Sequence, residues 1–146
     1  MMNENEVRQA MRARLKTVAG LPASDRRAWE GRTFEPPDLT AVDGARPLWI
    51  REIQRVLSER AAATGTDEAV GETLWMVETP DGKGTDEADT LALAIAEAFK
   101  PRQSLTKGAT TVILERTERL PFARDEKHPL WMHKTVAVRW RVFTAA

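Results

Sequence analysis

The stretch GETLWMVETPDGKGTDEADTLALAIAEAF, residues 71–99, carries both kinds of element that build the fold. Its first part, Gly71 to Thr79, has an apolar centre of Leu74, Trp75, Met76 and Val77 and reads as a strand. Pro80-Asp81-Gly82-Lys83-Gly84 follows as a turn, because proline pre-sets φ and glycine accepts positive φ. Thr85 caps the next helix, whose first turn sets Asp86, Glu87 and Asp89 against the positive end of the dipole. Leu91, Ile95 and Phe99 make its inner stripe, and the small Ala88, Ala92 and Ala96 allow close packing. Lys100-Pro101 ends it.

Upstream, Asn3 to Ala19 reads as another helix. Val7, Met11, Leu15 and Val18 stack on one face, Asn3 with Glu6 resembles a capping box, and Gly20 supplies the stop. Arg8, Arg12, Arg14 and Lys16 form a charged stripe that reads as a solvated face. Trp29 to Phe34 has the pattern of a short strand ended by Pro36-Pro37, and Glu35 to Pro47 reads as a loop. Leu48 to Arg60 has Trp49, Ile50, Ile53, Val56 and Leu57 at helical spacing, so its local pattern favours helix. Downstream, Thr110 to Leu120 is a strand and Pro121 to Pro129 a polar loop.

The last strand starts at His128 or Leu130 and runs to Thr144. Its even positions, Leu130, Met132, Val136, Val138, Trp140 and Val142, are apolar and belong under the helices. Its odd positions, Trp131, His133, Arg139, Arg141 and Phe143, mix aromatic and basic groups that a core would not choose. Those types are enriched where proteins meet, so this row is the expected subunit interface, with a solvated sheet face bearing scattered aromatics as the alternative.

The chain has 146 residues and a mass of 16.4 kDa, the size of one domain, 1–146. Its 42% hydrophobic content supports a real core. The 22 basic and 22 acidic residues cancel, which argues against naked nucleic acid as the main partner. With no cysteine, disulfides, thiolate metal sites and cysteine nucleophiles are excluded. Met1 to Glu6 is polar, unlike a signal peptide, and no apolar run reaches the ~18 residues of a membrane span. A soluble protein used in a cytosol, with no membrane partner, is expected.

No chemical site emerges. His128 and His133 are an odd number of residues apart, so a regular strand sends them to opposite faces and denies them a common metal. Gly82-Lys83-Gly84-Thr85 looks like part of a phosphate loop, but position 77 is Val and Lys83 is followed by Gly. Asp81, Asp86, Glu87 and Asp89 cluster as helix-dipole partners, with a divalent ion between subunits as the alternative reading. Ser24, Ser58 and Ser104 have no histidine at a triad-like spacing. No catalytic residue, cofactor or metal is expected.

Four stretches in order resemble the tail terminator proteins of lambda-like phages and the related phage family of otherwise unknown function. These are Leu21-Pro22 leading to Trp29-Glu30-Gly31 and Phe34-x-Pro36-Pro37; Trp49-Ile50-Arg51-Glu52; Gly71 to Val77 with Pro80-x-Gly82-x-Gly84-Thr85 and the helix to Ala98-Phe99; and Val112 to Leu120 followed by Trp131 and the final strand. The Pro-x-Gly-x-Gly-Thr turn entering a helix is the most specific of them. The resemblance implies that Leu48 to Arg60 is a strand, against its local pattern, since pairing overrules weak propensity. The expected fold is then α+β, in the order α-β-β-β-α-β-β. An antiparallel or mixed sheet of about five strands carries two helices on one face. The resemblance also implies a non-enzymatic virion protein of the neck, assembled in the host cytoplasm as a hexameric ring. Its implied partners are further copies of itself, the tail tube protein and the head–tail connector or stopper, with DNA passing the lumen unbound. Another neck or minor tail component, or a small metabolic α+β ligand-binding domain, would be the competing readings.

Overall fold

The computed structural model describes residues 2–37, 48–61, 66–80 and 85–145. In chain order it contains α1 (Glu4–Leu15), a 3₁₀ turn (Ser24–Arg26), β1 (Arg27–Ala28), β2 (Trp49–Ala61), β3 (Thr66–Pro80), α2 (Thr85–Ala98), β4 (Ser104–Lys107), β5 (Thr110–Arg119), β6 (Ala123–Arg124) and β7 (Trp131–Ala145). The strands form one sheet in the order β1-β2-β3-β7-β5-β4, with β6 also paired to β7. All pairings are antiparallel except β1 with β2, so the sheet is mixed. It has seven strands instead of about five; β1 and β6, two residues each, and β4 escaped the sequence reading.

α1 starts as its cap requires. The Asn3 side chain accepts from the Glu6 amide at 3.1 Å, and its Nδ2 donates to the Glu6 carboxylate at 2.9 Å. The helix stops at Leu15, and Gly20 beyond it has φ +82, a value that glycine tolerates. Val7, Met11, Leu15 and Val18 are buried together with Leu91, Ile95 and Phe99 of the α2 region. Both helices cover the face of the sheet that carries Ile50, Trp75, Val77, Val112, Leu114, Val136, Val138, Trp140 and Val142.

β2 is a strand, as the resemblance implied and the local pattern did not. Its inward positions are Ile50, Glu52, Gln54 and Val56, and two of those four are polar, which erases the apolar alternation. Glu52 is 3% exposed and Gln54 8%. Burial of Glu52 is tolerated because Arg12 donates to it twice, at 2.5 and 2.7 Å, and the Glu30 amide donates at 3.2 Å. Arg12 and Arg8, expected on a solvated stripe, therefore turn inward; Arg8 Nε lies 3.8 Å from Glu52.

Other boundaries moved. Trp29 to Phe34 is no strand: Arg32 donates its amide to the Trp29 carbonyl at 3.1 Å and Gly31 sits at φ +82, so the chain turns there. The pairing residues are Arg27 and Ala28 instead, beside Ile50 and Arg51. β3 begins at Thr66, upstream of Gly71, and pairs along its length with β7. Of the final strand's even positions, Leu130 is 65% exposed and precedes β7, and Met132 is half-buried. α2 opens at Thr85 itself, while positions 81–84 of the expected turn and 38–47 of the expected loop lie outside the described residues.

Gly71 is dictated by packing. A Cβ there would meet Cη2 and Cζ2 of Trp140 at 2.4 Å and the Arg55 carbonyl oxygen at 2.6 Å. The ring has no freedom to retreat, since its Nε1 donates to Thr73 Oγ1 at 3.1 Å inside the core. Among the described residues no helix is long and apolar enough to cross a membrane.

Candidate assembly surface

With both helices on one side, the other face of the sheet carries no α-helix among the described residues. Because side chains alternate along a strand, the odd positions of β7 project there with their neighbours in β2, β3 and β5. Arg139, Arg141 and Phe143 stand on this face, and Phe143 is 44% exposed. Opposite charges pair along and across the strands. Arg55 lies 3.3 Å from Glu72, Arg60 3.0 Å from Glu68, Arg116 2.6 Å from Glu118 and Arg141 2.5 Å from Glu115. Arg141 also reaches Glu68, and the hydrogen bond it donates to Glu115 leads the effects that raise its pKa above the ordinary arginine value. Arg139 is exposed between Glu72 and Arg116 and lines a shallow depression of about 160 Å³ with Glu118 and Ala137.

Trp131 and His133 are placed differently from the other three. Trp131 is 4% exposed and packs edge-on to Trp49, with ring centroids 5.8 Å apart. Phe34 and His128 complete the group, 4.8 and 5.5 Å from Trp49. Trp131 thus belongs to a second small core inside the subunit, and its expected place on the outward surface is corrected. This cluster forms because the loop from Leu120 to Leu130 folds over the end of the sheet; Leu120 donates to the Thr135 carbonyl at 2.9 Å and Asp125 to that of Trp131 at 3.0 Å.

His133 is mostly buried beside two carboxylates that the sequence keeps far apart. Its Nδ1 lies 3.4 Å from Glu78 and 3.9 Å from Asp125. Glu78 is fully buried and Asp125 2% exposed, and the three groups have the spacing of a metal site. The cation position is nevertheless filled by the protein: Arg51 Nη2 donates to Glu78 at 2.9 Å and also to Asp125. Asp125 further accepts from the amides of Lys127 and His128, at 2.9 and 3.1 Å, which pins the loop. The arrangement is a buried ion cluster that latches a loop to the sheet. His128 packs on Trp49 and does not join it.

The remaining candidates stay apart. Asp86, Glu87 and Asp89 are exposed on α2, with Asp89 3.6 Å from Arg119 and 3.7 Å from Lys134, so Asp89 faces cations instead of sharing one. Asp81 lies outside the described residues. Ser24, Ser58 and Ser104 are exposed on three separate elements.

The fold has relatives among solved structures. A solved chain known only by a sequence identifier matches with a TM-score of 0.64 at 19% identity, covering 97% of this chain and 96% of its own. A chain from the virion of a native gene transfer agent particle matches with a TM-score of 0.64 at 20% identity, covering 96% of each. At such identities these likenesses establish the shared fold. No curated protein matches the chain. The family model described as phage tail terminator protein matches residues 6–140, nearly the whole chain. The chain therefore belongs to the phage tail terminator family and is a structural protein of a phage tail.

Proposed function

We propose that the protein closes the phage tail as a hexameric ring on the head-proximal end of the tail tube, where it stops tube polymerisation and joins the tail to the head connector. The observation that carries this reading is the family match over residues 6–140. The helix-free sheet face supports it: Arg139, Arg141 and Phe143 place arginine and aromatic groups there, the types favoured at interfaces. We assign these three to subunit or neighbour contacts; Trp131 and His133, further along the same row, are held inside the subunit by the Trp49 cluster and the Glu78–Asp125 ion cluster. The balance of 22 basic and 22 acidic residues over the chain suits a ring through which DNA moves without being gripped. Neither the ion cluster nor any depression described above supplies a nucleophile with its base, so the role is structural.

The test is assembly. Light scattering should give about 98 kDa, six times the 16.4 kDa subunit. Each contact needs on the order of 1,000 Å². Tube protein polymerised in the presence of the ring should stop at a fixed length and grow past it when the ring is omitted. Phe143→Ala and Arg139→Ala should weaken the ring and leave the subunit folded. Unaltered tube growth, together with a monomer at all concentrations, would refute the proposal.

A further inference from the structure

Two surface features, one at the start of β2 and one past its middle, complement each other. Near its start, Leu48, Leu91 and Ala94 floor a groove of about 360 Å³ beside Ala19 and Gly20, with Asp86 and Glu87 on its rim. The floor is apolar and the rim acidic, so it suits an apolar side chain flanked by cations. Leu57 has that form. Val56 pairs with Gly71 and Ser58 with Val70, which makes Leu57 the extra residue of a β-bulge and leaves it 47% exposed. Arg55 and Arg60 flank it, with side chains 56% and 76% exposed. Their ion pairs to Glu72 and Glu68 are of the surface kind that holds a side chain weakly.

Leu57 lies nine positions beyond Leu48, about 30 Å at the rise of a β-strand. One copy therefore cannot fill its own groove. We propose that Leu57 of one subunit seats in the Leu48–Leu91–Ala94 groove of the next, with Arg55 and Arg60 facing Asp86 and Glu87. The contact joins different surfaces of identical subunits, and contacts of this heterologous kind generate a ring when the rotation closes. It deepens the ring reading and rests on it.

The absence of native cysteine permits a direct test. A Leu57→Cys/Ala94→Cys double variant is oxidised mildly in the assembled state, with Leu57→Cys/Ser104→Cys as the control pair. A disulfide needs Cα atoms within about 7 Å, so any bond in the first variant joins two subunits. The expected result is a non-reducing ladder from dimer to closed hexamer, at least tenfold above the control. Independently, Leu57→Asp should lower the assembled fraction at least tenfold while the circular dichroism of the subunit stays that of the parent. A parent that forms hexamers, with no ladder above control and normal assembly of Leu57→Asp, overturns this contact and leaves the ring reading standing. A parent that remains monomeric, with no ladder, overturns both. Protection of the groove cysteine by the tube protein in place of a second copy also overturns it.

Discussion

Gly71→Ala adds one methyl group at the most constrained point of the sheet, and its cost follows from the geometry. Carbon atoms pack at about 3.5–4.0 Å, whereas the new Cβ would stand 2.4 Å from two atoms of the Trp140 ring and 2.6 Å from the Arg55 carbonyl oxygen. Relief requires the ring and the neighbouring strand to move by about an ångström each. The ring is fully buried and tethered through Nε1 to Thr73, and β2 stays paired with β3 on both sides of the site, across the bulge at Leu57. Overpacking of a dense core costs about 1–3 kcal/mol, and an obstacle on two sides puts this site at the top of that range. Alanine also restricts the unfolded chain, which returns about 0.4–1 kcal/mol. The net expectation is a loss of about 2 kcal/mol. For a domain near 150 residues that lowers Tm by roughly 4–8 °C. Thermal and urea unfolding followed by circular dichroism would measure it, with near-ultraviolet signal reporting the tryptophan packing. In a Trp140→Leu background the same substitution should cost far less, because most of the obstacle is gone. Equal stability of Gly71→Ala and parent, or an undiminished cost in the Trp140→Leu background, would show that the ring does not occupy this space.

Trp131→Ala should destabilise the subunit itself by about 3 kcal/mol, a truncation in a packed cluster, so its unfolding midpoint falls whether or not the ring forms. Replacing Glu52 with Ala strands Arg12 between helix and sheet; buried-pair breakage costs about 3–5 kcal/mol, and the 17% exposure of the Arg12 side chain places this case at about 3 by urea titration. Chelators should leave Tm unchanged, because Arg51 already supplies the cation between Glu78 and Asp125; a stoichiometric metal whose removal lowers Tm would contradict this. Arg141 adds no pH dependence to stability between pH 5 and 9. Its folded pKa is raised, so the stabilisation it brings is lost only as pH climbs through values above the ordinary arginine range, and an unfolding series over that window with Glu115→Gln as comparison would check it.

Local pattern alone determined the elements whose hydropathy matches their period. Helix α1 was legible from Val7, Met11 and Leu15 and from its Asn3 cap, α2 from Leu91 and Ile95, and the core row of β7 from Val136, Val138, Trp140 and Val142. Zero net charge and the lack of cysteine narrowed the chemistry before any fold was known. The tertiary structure decided everything that depends on residues distant in the chain. β2 is a strand because it pairs with β3 and β1, and its inward charged Glu52 is tolerated because it finds Arg12 on α1; no window around position 52 contains those partners. β4 and β6 are too short to show a period and exist through pairing with β5 and β7. Trp131 and Phe143 share the parity of an outward row, yet a loop latched by Asp125 to Arg51 covers the first and leaves the second open. Alternation along a strand divides side chains between two faces, but only the rest of the chain, folded over one end of a face, determines which of them meet water.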